Sequence, residues 1–402
     1  MILNKNVLFV YDYLYTGGIE TLILRMSKWL ISQGYAVSII LRKKGEIADL
    51  LDPKIEVIEL GKSYRYLYLP FVSRKVSKNN DFEKFDYIMS FHPRSNWIAS
   101  NLIDNLNLKC KYITGVYHPR AYFNKDLHLS EKICYKYLLD NQENKSILFM
   151  NEDTKKHHID TLNADFKSSP IWPLPVADKE NICKKLYKKY KFISIGRFAK
   201  FKTYNLYMID IINNLVKKGY DIHYDIYGTG ELEPYMKKKI AEYSLEKRII
   251  LHGNLNYSNF SKVLEDAYIF IGMGTSVVEA SFSKVPSLVA IENSKDSKSY
   301  GFLNDLPYYN VGERNSSLEE KDVEKMISEL LLKSDDEYNE ICEKSYSYVQ
   351  EYSLSALMPK WLRQINEIKK EKIKIDVKYK YLYLFLELMN PILKIFKRKK
   401  IL

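Results

Sequence analysis

Short apolar runs alternate with stretches of helical periodicity along the whole chain. The stretch 19–33 has apolar residues at helical spacing, and Gly34 after it is suited to end a helix. Apolar runs in the first half predict strands at 7–11, 36–41, 54–60, 87–91, 112–116 and 146–150, with a further helix at 96–106. Strands that alternate with helices predict parallel sheets covered on both faces.

The same alternation begins again after 171–176, where Pro173 and Pro175 disfavour a helix and suit a linker. Strands are predicted there at 192–195, 221–227, 249–251, 268–271 and 287–291. Helices are predicted at 207–218, 232–243 and 318–332, and more than one helix between about 337 and 368. The predicted fold class is α/β with two facing Rossmann-like domains. We place the domains at 1–170 and 171–350, a C-terminal helix that returns to the first domain at 351–368, and a basic amphipathic tail at 369–402.

Composition sets the broad class. A chain of 402 residues suits two domains of roughly 150–200 residues each. Its scattered cysteines form no CxxC pair and no His/Cys cluster, which indicates a reducing compartment and argues against structural zinc. These are Cys110, Cys134, Cys183 and Cys342. No run of about 18 apolar residues occurs, so no membrane-spanning helix is expected. The run 7–10 is too short for a signal peptide and predicts a buried strand.

Positive charge is concentrated at the C-terminus. Residues 368–402 carry eleven Lys and Arg against three acids, a net +8 of the chain's +12. Because this charge is not spread along the domains, a nucleic-acid role is not expected. The tail mixes apolar and aromatic residues with a final Lys/Arg cluster, a composition that predicts an interfacial helix on an anionic membrane surface. The alternative is a terminal helix packed on the protein's own surface.

A glycine-rich turn follows the apolar run 268–271. Exposed backbone N–H groups at such a strand-to-helix turn attract phosphate, and glycine lets a ligand approach the backbone closely. The turn contributes Gly272, Gly274, Thr275, Ser276 and Val277 as candidate binding residues. Glu279 lies inside the following helix, where its carboxylate is placed to accept hydrogen bonds from sugar hydroxyls.

A second candidate is the loop 196–202, after the first strand of the second domain. Gly196 is followed by Arg197 and Lys202, five residues apart, which can hold a diphosphate from two sides. Ligands in open α/β sheets bind at the carboxyl ends of strands, where this loop lies. The alternative is that Lys200 and Lys202 are ordinary solvated surface charges.

Two further glycine pairs occupy similar corners. Gly17 and Gly18 precede the first helix, and Gly228 and Gly230 follow the predicted strand 221–227. Gly17 and Gly18 are a candidate anion site, with a tight turn as the alternative, and Gly228 and Gly230 are expected to line the nucleotide pocket.

Histidines also follow strands of the first domain. His118 comes directly after 112–116 and is a candidate to contact a sugar hydroxyl or a developing charge, although a lone histidine is more often structural. His92, with Arg94, follows 87–91 and is a weaker candidate. His157 and His158 are adjacent on a predicted helix and point apart, so a shared metal is not expected.

Taken together, these residues resemble the retaining glycosyltransferases of family 4, which have the two-Rossmann GT-B fold. The resemblance covers about residues 7–366. Its N-terminal glycine loop matches Gly17 and Gly18, its histidine matches His118, and its second-domain glycine turn matches Gly228 and Gly230. Its diphosphate-binding residues match Gly196, Arg197 and Lys202. Of its Glu-x7-Glu pair, Glu279 is the second acid, which in the family holds the ribose, whereas Ile271 replaces the acid that contacts the donor sugar.

The resemblance implies a hexosyltransferase that uses a nucleotide-diphosphate sugar, with a UDP-linked donor expected, and a glycan or lipid-linked acceptor in surface polysaccharide or glycoconjugate synthesis. The first domain would bind the acceptor and the second the donor. Neither a cofactor nor a metal is expected, and the protein is expected in the cytoplasm, peripherally on the inner face of the membrane. Two alternatives remain open: a nucleotide-sugar 2-epimerase on the same fold, and a catalytically degenerate binding subunit, which Ile271 motivates.

Overall fold

The structure is a computed structural model that describes residues 5–15, 17–124, 127–178, 187–294, 296–307, 309–370 and 372–399, apart from the side chains of 134 and 390–399. The chain divides into two compact units. One comprises Met1–Pro175 with Leu357–Leu402, and the other comprises Val176–Ala356. Of the four cysteines, Cys110 and Cys342 are buried thiols and Cys183 lies outside the described residues.

The first unit contains a six-stranded parallel sheet. Its strands are β1 Asn6–Val10, β2 Ala36–Leu41, β3 Glu56–Glu59, β4 Tyr87–Ser90, β5 Lys111–Val116 and β6 Ile147–Phe149. Their order is β3-β2-β1-β4-β5-β6, with every pair parallel. The strand order reverses beside β1, so the carboxyl ends of β1 and β4 open a crevice of the kind in which α/β proteins bind ligands.

Five helices belong to this sheet: α1 Gly18–Ser32, α2 Pro70–Ser77, α3 Pro93–Leu106, α4 Leu129–Asp140 and α5 Glu152–Leu162. Local chemistry explains several ends. His92 and Ser95 form a capping box before α3, and Asn107 ends that helix in the left-handed conformation. The sequence pattern did not predict α2 or α4. In α4 the buried faces include the polar residues Ser130 and Glu131, which interrupt the apolar period.

The second unit contains a seven-stranded sheet. Its strands are β7 Lys191–Ile195, β8 His223–Tyr227, β9 Ile249–Leu251, β10 Ile269–Gly272, β11 Ser287–Ala290, β12 Lys298–Phe302 and β13 Lys321–Asp322. The order is β13-β12-β11-β10-β7-β8-β9. Strands β12 and β13 are antiparallel to their neighbours, so the prediction of wholly parallel sheets was wrong at this edge. The connection 291–297 is too short for the crossover helix that a parallel pair needs.

The second unit's helices are α6 Tyr204–Lys217, α7 Glu233–Glu242, α8 Phe260–Val263, α9 Thr275–Ser281, α10 Val323–Leu331 and α11 Asp335–Val349. A capping box between Ser334 and Glu337 starts α11. Helix α12, Leu354–Glu367, begins in the second unit and continues in the first. There Tyr87 Oη donates to Asn366 Oδ1 at 2.8 Å, and Lys111 Nζ donates to the Asn366 carbonyl at 2.6 Å.

The tail forms a final helix, α13, at Val377–Lys399. It packs on the first unit: the ring of Tyr383 stacks on Trp97 at 4.7 Å, and Lys380 Nζ lies 2.5 Å from Asp104 Oδ2. The described part of the tail therefore packs on the protein's own surface, and membrane contact by the tail stays a prediction. Its basic end lies beyond the described side chains. Among the described residues, none of the helices combines the length and apolar character needed to span a bilayer.

Candidate functional site

Loop 196–202 presents two cations at the carboxyl end of β7. Arg197 is exposed, and Lys202 is partly buried beneath the loop, where a Cβ added to Gly196 would lie 2.9 Å from Lys202 Nζ. Burial first, and then the positive charge of Arg197, lower the pKa of Lys202 to about 8. Within the described part of the chain, neither side chain makes an ion pair or a hydrogen bond. Both cations are therefore available to an external anion.

Lys200, on the same loop, behaves differently. Its Nζ lies 3.3 Å from Glu231 Oε2, and its backbone N–H donates to Glu231 Oε1 at 3.0 Å. The side chain is exposed, so this pair is worth little to stability. Lys200 is thus a solvated surface charge, as the alternative interpretation of this loop held, whereas Lys202 is not.

Gly228 and Gly230 hold the neighbouring loop against loop 196–202. Both have positive φ, and a Cβ on Gly228 would collide with the carbonyl oxygen of Gly196. Phe198 N–H donates to the Thr229 carbonyl at 2.9 Å, which joins the two loops backbone to backbone. The glycines therefore fix the position of the loop that carries Arg197, because any side chain would separate the two loops.

The turn before α9 offers fewer donors than the sequence suggested. Gly274, at φ 79°, donates its N–H to the Val311 carbonyl at 2.7 Å. Val277 is fully buried, and its N–H donates to the Gly274 carbonyl at 3.3 Å. Thr275 and Ser276 are partly exposed and occupy the first two helical positions, whose N–H groups have no acceptor within a helix. These two amides are the ones placed for phosphate.

Glu279 and Ile271 have contrasting positions. Glu279 lies on α9 with 6% of its surface exposed. Ile271 lies inside β10, fully buried in the second unit's core, and its carbonyl accepts a hydrogen bond from Ser194 Oγ at 2.6 Å. A carboxylate at position 271 would be desolvated among apolar side chains, which is costly. The position that holds the first acid in the family is thus a buried core position in this protein.

These elements meet at one edge of the sheet. Strands β8, β7 and β10 are adjacent and parallel, so their carboxyl ends bring loops 196–202, 228–230 and 273–276 together. Asn293, just after β11, donates its N–H to the Phe201 carbonyl at 2.8 Å and closes the edge on the other side. The arrangement supplies two cations, two backbone amides and one carboxylate within a single unit.

The equivalent corner of the first unit is filled by the protein itself. The carboxylate of Glu20 folds back over Gly17 at the start of α1, and Tyr11 Oη donates to Glu20 Oε1 at 3.2 Å. A carboxylate at a helix N-terminus is favourable for the same reason that a phosphate is. The site predicted at Gly17 and Gly18 is therefore already supplied with a negative charge.

A cluster of charged residues lies at the carboxyl ends of β1 and β4. Arg94 Nη2 lies 2.5 Å from Glu131 Oε1, and its Nη1 lies 3.4 Å from Asp12 Oδ2. His92 Nε2 lies 3.8 Å from Asp12 Oδ1, a buried oxygen that accepts no hydrogen bond from the described residues. Burial lowers the pKa of His92 and favours the neutral imidazole. We name Asp12, His92, Arg94 and Glu131 the β1–β4 cluster.

Sequence reasoning found half of this cluster. His92 and Arg94 were identified because they follow a strand. Asp12 carried the same signal, an acid directly after the first strand, and was overlooked. Glu131 carried none, because it comes from α4 and reaches the cluster only through tertiary packing.

His118 lies in the turn after β5, at the same edge as the β1–β4 cluster. It is exposed, and its Nδ1 accepts the N–H of Arg120 at 3.0 Å. This bond assigns the proton of the neutral ring to Nε2. His158, by contrast, is buried in α5 with Nδ1 2.8 Å from the Thr154 carbonyl, and burial lowers its pKa to about 4. The described residues contain no group of three His, Cys, Asp or Glu that could hold a metal.

The architecture is that of the GT-B class, as comparison with solved structures shows. The chain aligns with the crystal structure of TarM over 90% of its own length and 99% of that chain, at 13% identity and a TM-score of 0.63. A glycosyltransferase from Rickettsia africae ESF-5 aligns over 91% and 98%, at 16% identity and a TM-score of 0.65. Anabaena Alr3699/HepE, solved in complex with UDP and glucose, aligns over 90% and 99%, at 11% identity and a TM-score of 0.65. The prediction of two Rossmann-like domains is thereby confirmed.

Sequence comparison adds a family match in the second unit. Residues 178–292 match the family described as glycosyl transferases group 1, a range that contains Arg197, Lys202 and Glu279. The chain is 24% identical over 270 residues to the poly(ribitol-phosphate) alpha-N-acetylglucosaminyltransferase of Staphylococcus aureus (strain COL). That alignment covers 65% of this chain and 52% of the relative, so the chain spans about half the length of the curated relative that it matches.

Proposed function

We propose that this protein is a retaining hexosyltransferase of the family 4 type, which moves a sugar from a nucleotide-diphosphate donor to a glycan or lipid-linked acceptor. The observation that carries the proposal is the pair of cations at a strand edge, Arg197 and Lys202, for which the described residues supply no anionic partner. The match of residues 178–292 to glycosyl transferases group 1 supports it.

The chemistry follows from the charge that develops when the glycosidic bond to the diphosphate breaks. Arg197 and Lys202 stabilise the negative charge on the departing diphosphate, and the amides of Thr275 and Ser276 add two donors. Groups already fixed in place act without reorganisation, which makes such stabilisation effective. Glu279 accepts hydrogen bonds from the ribose, and His118 positions the sugar. With two cations at the diphosphate, the reaction requires neither a metal nor a further cofactor.

The donor is proposed to be UDP-linked and the acceptor to belong to a surface polysaccharide or glycoconjugate. The relative's name describes N-acetylglucosamine transfer to poly(ribitol-phosphate), so UDP-N-acetylglucosamine and an anionic polyol-phosphate polymer are the first pair to test. The acceptor is assigned to the first unit, near His118, with its hydroxyl groups rather than its phosphates facing the carboxylates of the β1–β4 cluster. The protein is proposed to work in the cytoplasm at the inner face of the membrane.

A second candidate function has one observation in its favour. Because Ile271 removes the acid that contacts the donor sugar in the family, the chain is also a candidate binding subunit that supports an active partner. Such a subunit would bind UDP without turnover.

The deciding experiment combines binding with product analysis. Purified protein is screened against UDP-, GDP- and ADP-sugars by thermal shift, and each stabilising donor is incubated with and without acceptor. Transfer with retained anomeric configuration, unaffected by a chelator, is the expected result. An epimerised donor in the absence of acceptor would identify an epimerase, binding without turnover would identify a binding subunit, and no stabilisation by any donor would contradict the proposal.

A further inference from the structure

Exposed large apolar side chains are unevenly distributed over the protein. Of the fourteen in the described residues, eight lie on three segments of the first unit: residues 61–77, α4 and α13. We call them the tail face, which consists of Tyr66, Phe71, Leu129, Ile133, Val377, Tyr381, Phe385 and Leu388. Large clustered apolar surfaces on a soluble unit mark interaction sites.

Helix α13 has two distinct apolar stripes. The inner one holds the helix on the first unit through Tyr383, which stacks on Trp97. Beside it, Lys380 forms an ion pair with Asp104. The outer stripe consists of Val377, Tyr381, Phe385 and Leu388, spaced four, four and three residues apart, and each is more than half exposed. This spacing places the four side chains on one side of a helix. The outer stripe is unnecessary for docking α13 on its own protein.

The flanking segments extend the outer stripe on both sides. Helices α4 and α13 run antiparallel, because Tyr137 stacks on Tyr379 at 3.7 Å while Ser130 Oγ donates to Glu387 Oε1 at 2.7 Å. Leu129 and Ile133 lie exposed on α4 beside these contacts. On the other flank, the ring of Tyr68 lies 5.1 Å from that of Tyr383. Tyr66 and Phe71 are exposed on either side of Tyr68 in the chain.

Positive charge borders the same surface. Residues 61–80 contain five cations and no acid. These cations are Lys62, Arg65, Arg74, Lys75 and Lys78, all exposed and none of them ion-paired within the described residues. Aromatic and aliphatic side chains bordered by unpaired cations match the chemistry of a bilayer interface with anionic headgroups.

We propose that the tail face docks the protein on an anionic lipid bilayer, with the outer stripe of α13 in the acyl boundary and the cations of 61–80 on the headgroups. A second copy of the chain fits less well, because in a two-fold interface it would present the same apolar residues and the same bordering cations, which offer no negative charge, whereas an anionic bilayer does. The inference deepens the membrane location proposed above and rests on that part of the proposed function, but it does not depend on sugar transfer.

The test is vesicle flotation of the full chain. Neutral phosphatidylcholine vesicles are compared with vesicles that contain about one third phosphatidylglycerol, which supplies the negative surface potential. We expect binding to the anionic vesicles that declines with salt. The double variant Phe385→Ser plus Leu388→Ser removes two apolar anchors and should lower partitioning roughly tenfold or more. The double variant Arg74→Glu plus Lys75→Glu should lower binding to the anionic vesicles only.

The matched control is Tyr235→Ser plus Leu332→Ser, which removes two equally exposed apolar side chains from the second unit. It should leave partitioning unchanged. Thermal melting and UDP binding verify that each variant is folded, and UDP binding by a variant that no longer floats separates this proposal from the transferase proposal. Partitioning unaffected by both test variants would refute the membrane face. A dimer of the unaltered chain in light scattering, lost in Phe385→Ser plus Leu388→Ser, together with no flotation, would assign the face to a second copy.

Discussion

The two units place cations at equivalent sheet edges but differ in whether carboxylates lie beside those cations. In the first unit, Arg94 lies between the carboxylates of Asp12 and Glu131. In the second, Arg197 and Lys202 have no carboxylate partner in the described chain. The helix starts differ similarly: Glu20 covers Gly17 before α1, whereas the space beside Gly274 before α9 is open to at least 4 Å.

This difference indicates where an external anion is bound. A phosphate at the first unit's edge would compete with carboxylates already in place, at the cost of leaving them unpaired. At the second unit's edge it would meet two cations that no described residue pairs, and the pKa of one of them, Lys202, is lowered. The fold alone does not distinguish the two corners, since both are strand-to-helix turns. The placement of a few acids does.

The largest expected effect comes from removing the second unit's cations. Hydrogen bonds to charged groups contribute about 1.5–3 kcal/mol each, so Arg197→Ala plus Lys202→Ala should lower kcat/KM for the donor about a thousandfold. Melting temperature should change little, because neither side chain has an ion-pair or hydrogen-bond partner among the residues that the structure describes. Lys200→Ala is the control, and its kcat/KM should stay near that of the unaltered protein. Equal losses in both variants would mean that loop 196–202 acts through its overall charge.

The second-largest expected effect concerns the cation of the first unit, Arg94, which is paired with carboxylates. Arg94→Ala leaves Glu131 buried without its cation, which should lower the free energy of unfolding by about 3 kcal/mol. Chemical denaturation measures this loss. Arg94→Leu combined with Glu131→Leu removes both charges of the closer pair and should recover part of the stability, because only Asp12 is then left without its cation. If Arg94→Ala leaves stability unchanged and weakens UDP binding instead, the comparison between the two units is wrong.

The pKa of Lys202 gives a pH dependence with a definite sign. Its amine is charged below about 8 and loses that charge as the pH rises through this value. UDP affinity should therefore be constant at lower pH and fall above it by up to about tenfold per pH unit, as for any single proton. Titration calorimetry in buffers of different ionisation enthalpy should show proton uptake on binding at pH above 8. Lys202→Arg keeps its charge and should abolish both effects; their persistence would assign them to another group.

The smallest effect concerns the ribose. Glu279→Gln weakens a charged acceptor and should lower UDP affinity about tenfold. The informative measurement compares the affinity for UDP with that for a UDP analogue whose ribose is 2′,3′-dideoxyribose. This analogue lacks the hydroxyls that Glu279 is proposed to bind. The variant should bind UDP and the analogue almost equally. An undiminished preference for UDP would move the ribose away from Glu279.

The sequence alone predicted most strands and the cations of loop 196–202, because both depend on residues that are close together in the chain. Apolar runs mark buried strands, and Gly196, Arg197 and Lys202 are near neighbours in the chain. It did not predict α4, whose core-facing side includes Ser130 and Glu131, or the antiparallel strand β12, whose direction follows from the length of a connection. The prediction of an anion site at Gly17 and Gly18 gave no role to Glu20, whose carboxylate covers Gly17.

What the sequence determined is therefore the alternation of strands and helices, the restart at the Pro173–Pro175 linker, and the residue types available at each strand end. Tertiary structure alone decided which of those residues remain unpaired. Glu131 contacts Arg94 although the two residues are 37 positions apart in the chain. The Val311 carbonyl accepts a hydrogen bond from the Gly274 N–H, again across 37 positions. Whether a charged residue is paired depends on which side chains lie near it in space. Many of these come from remote parts of the sequence, so the local sequence pattern cannot predict the pairing.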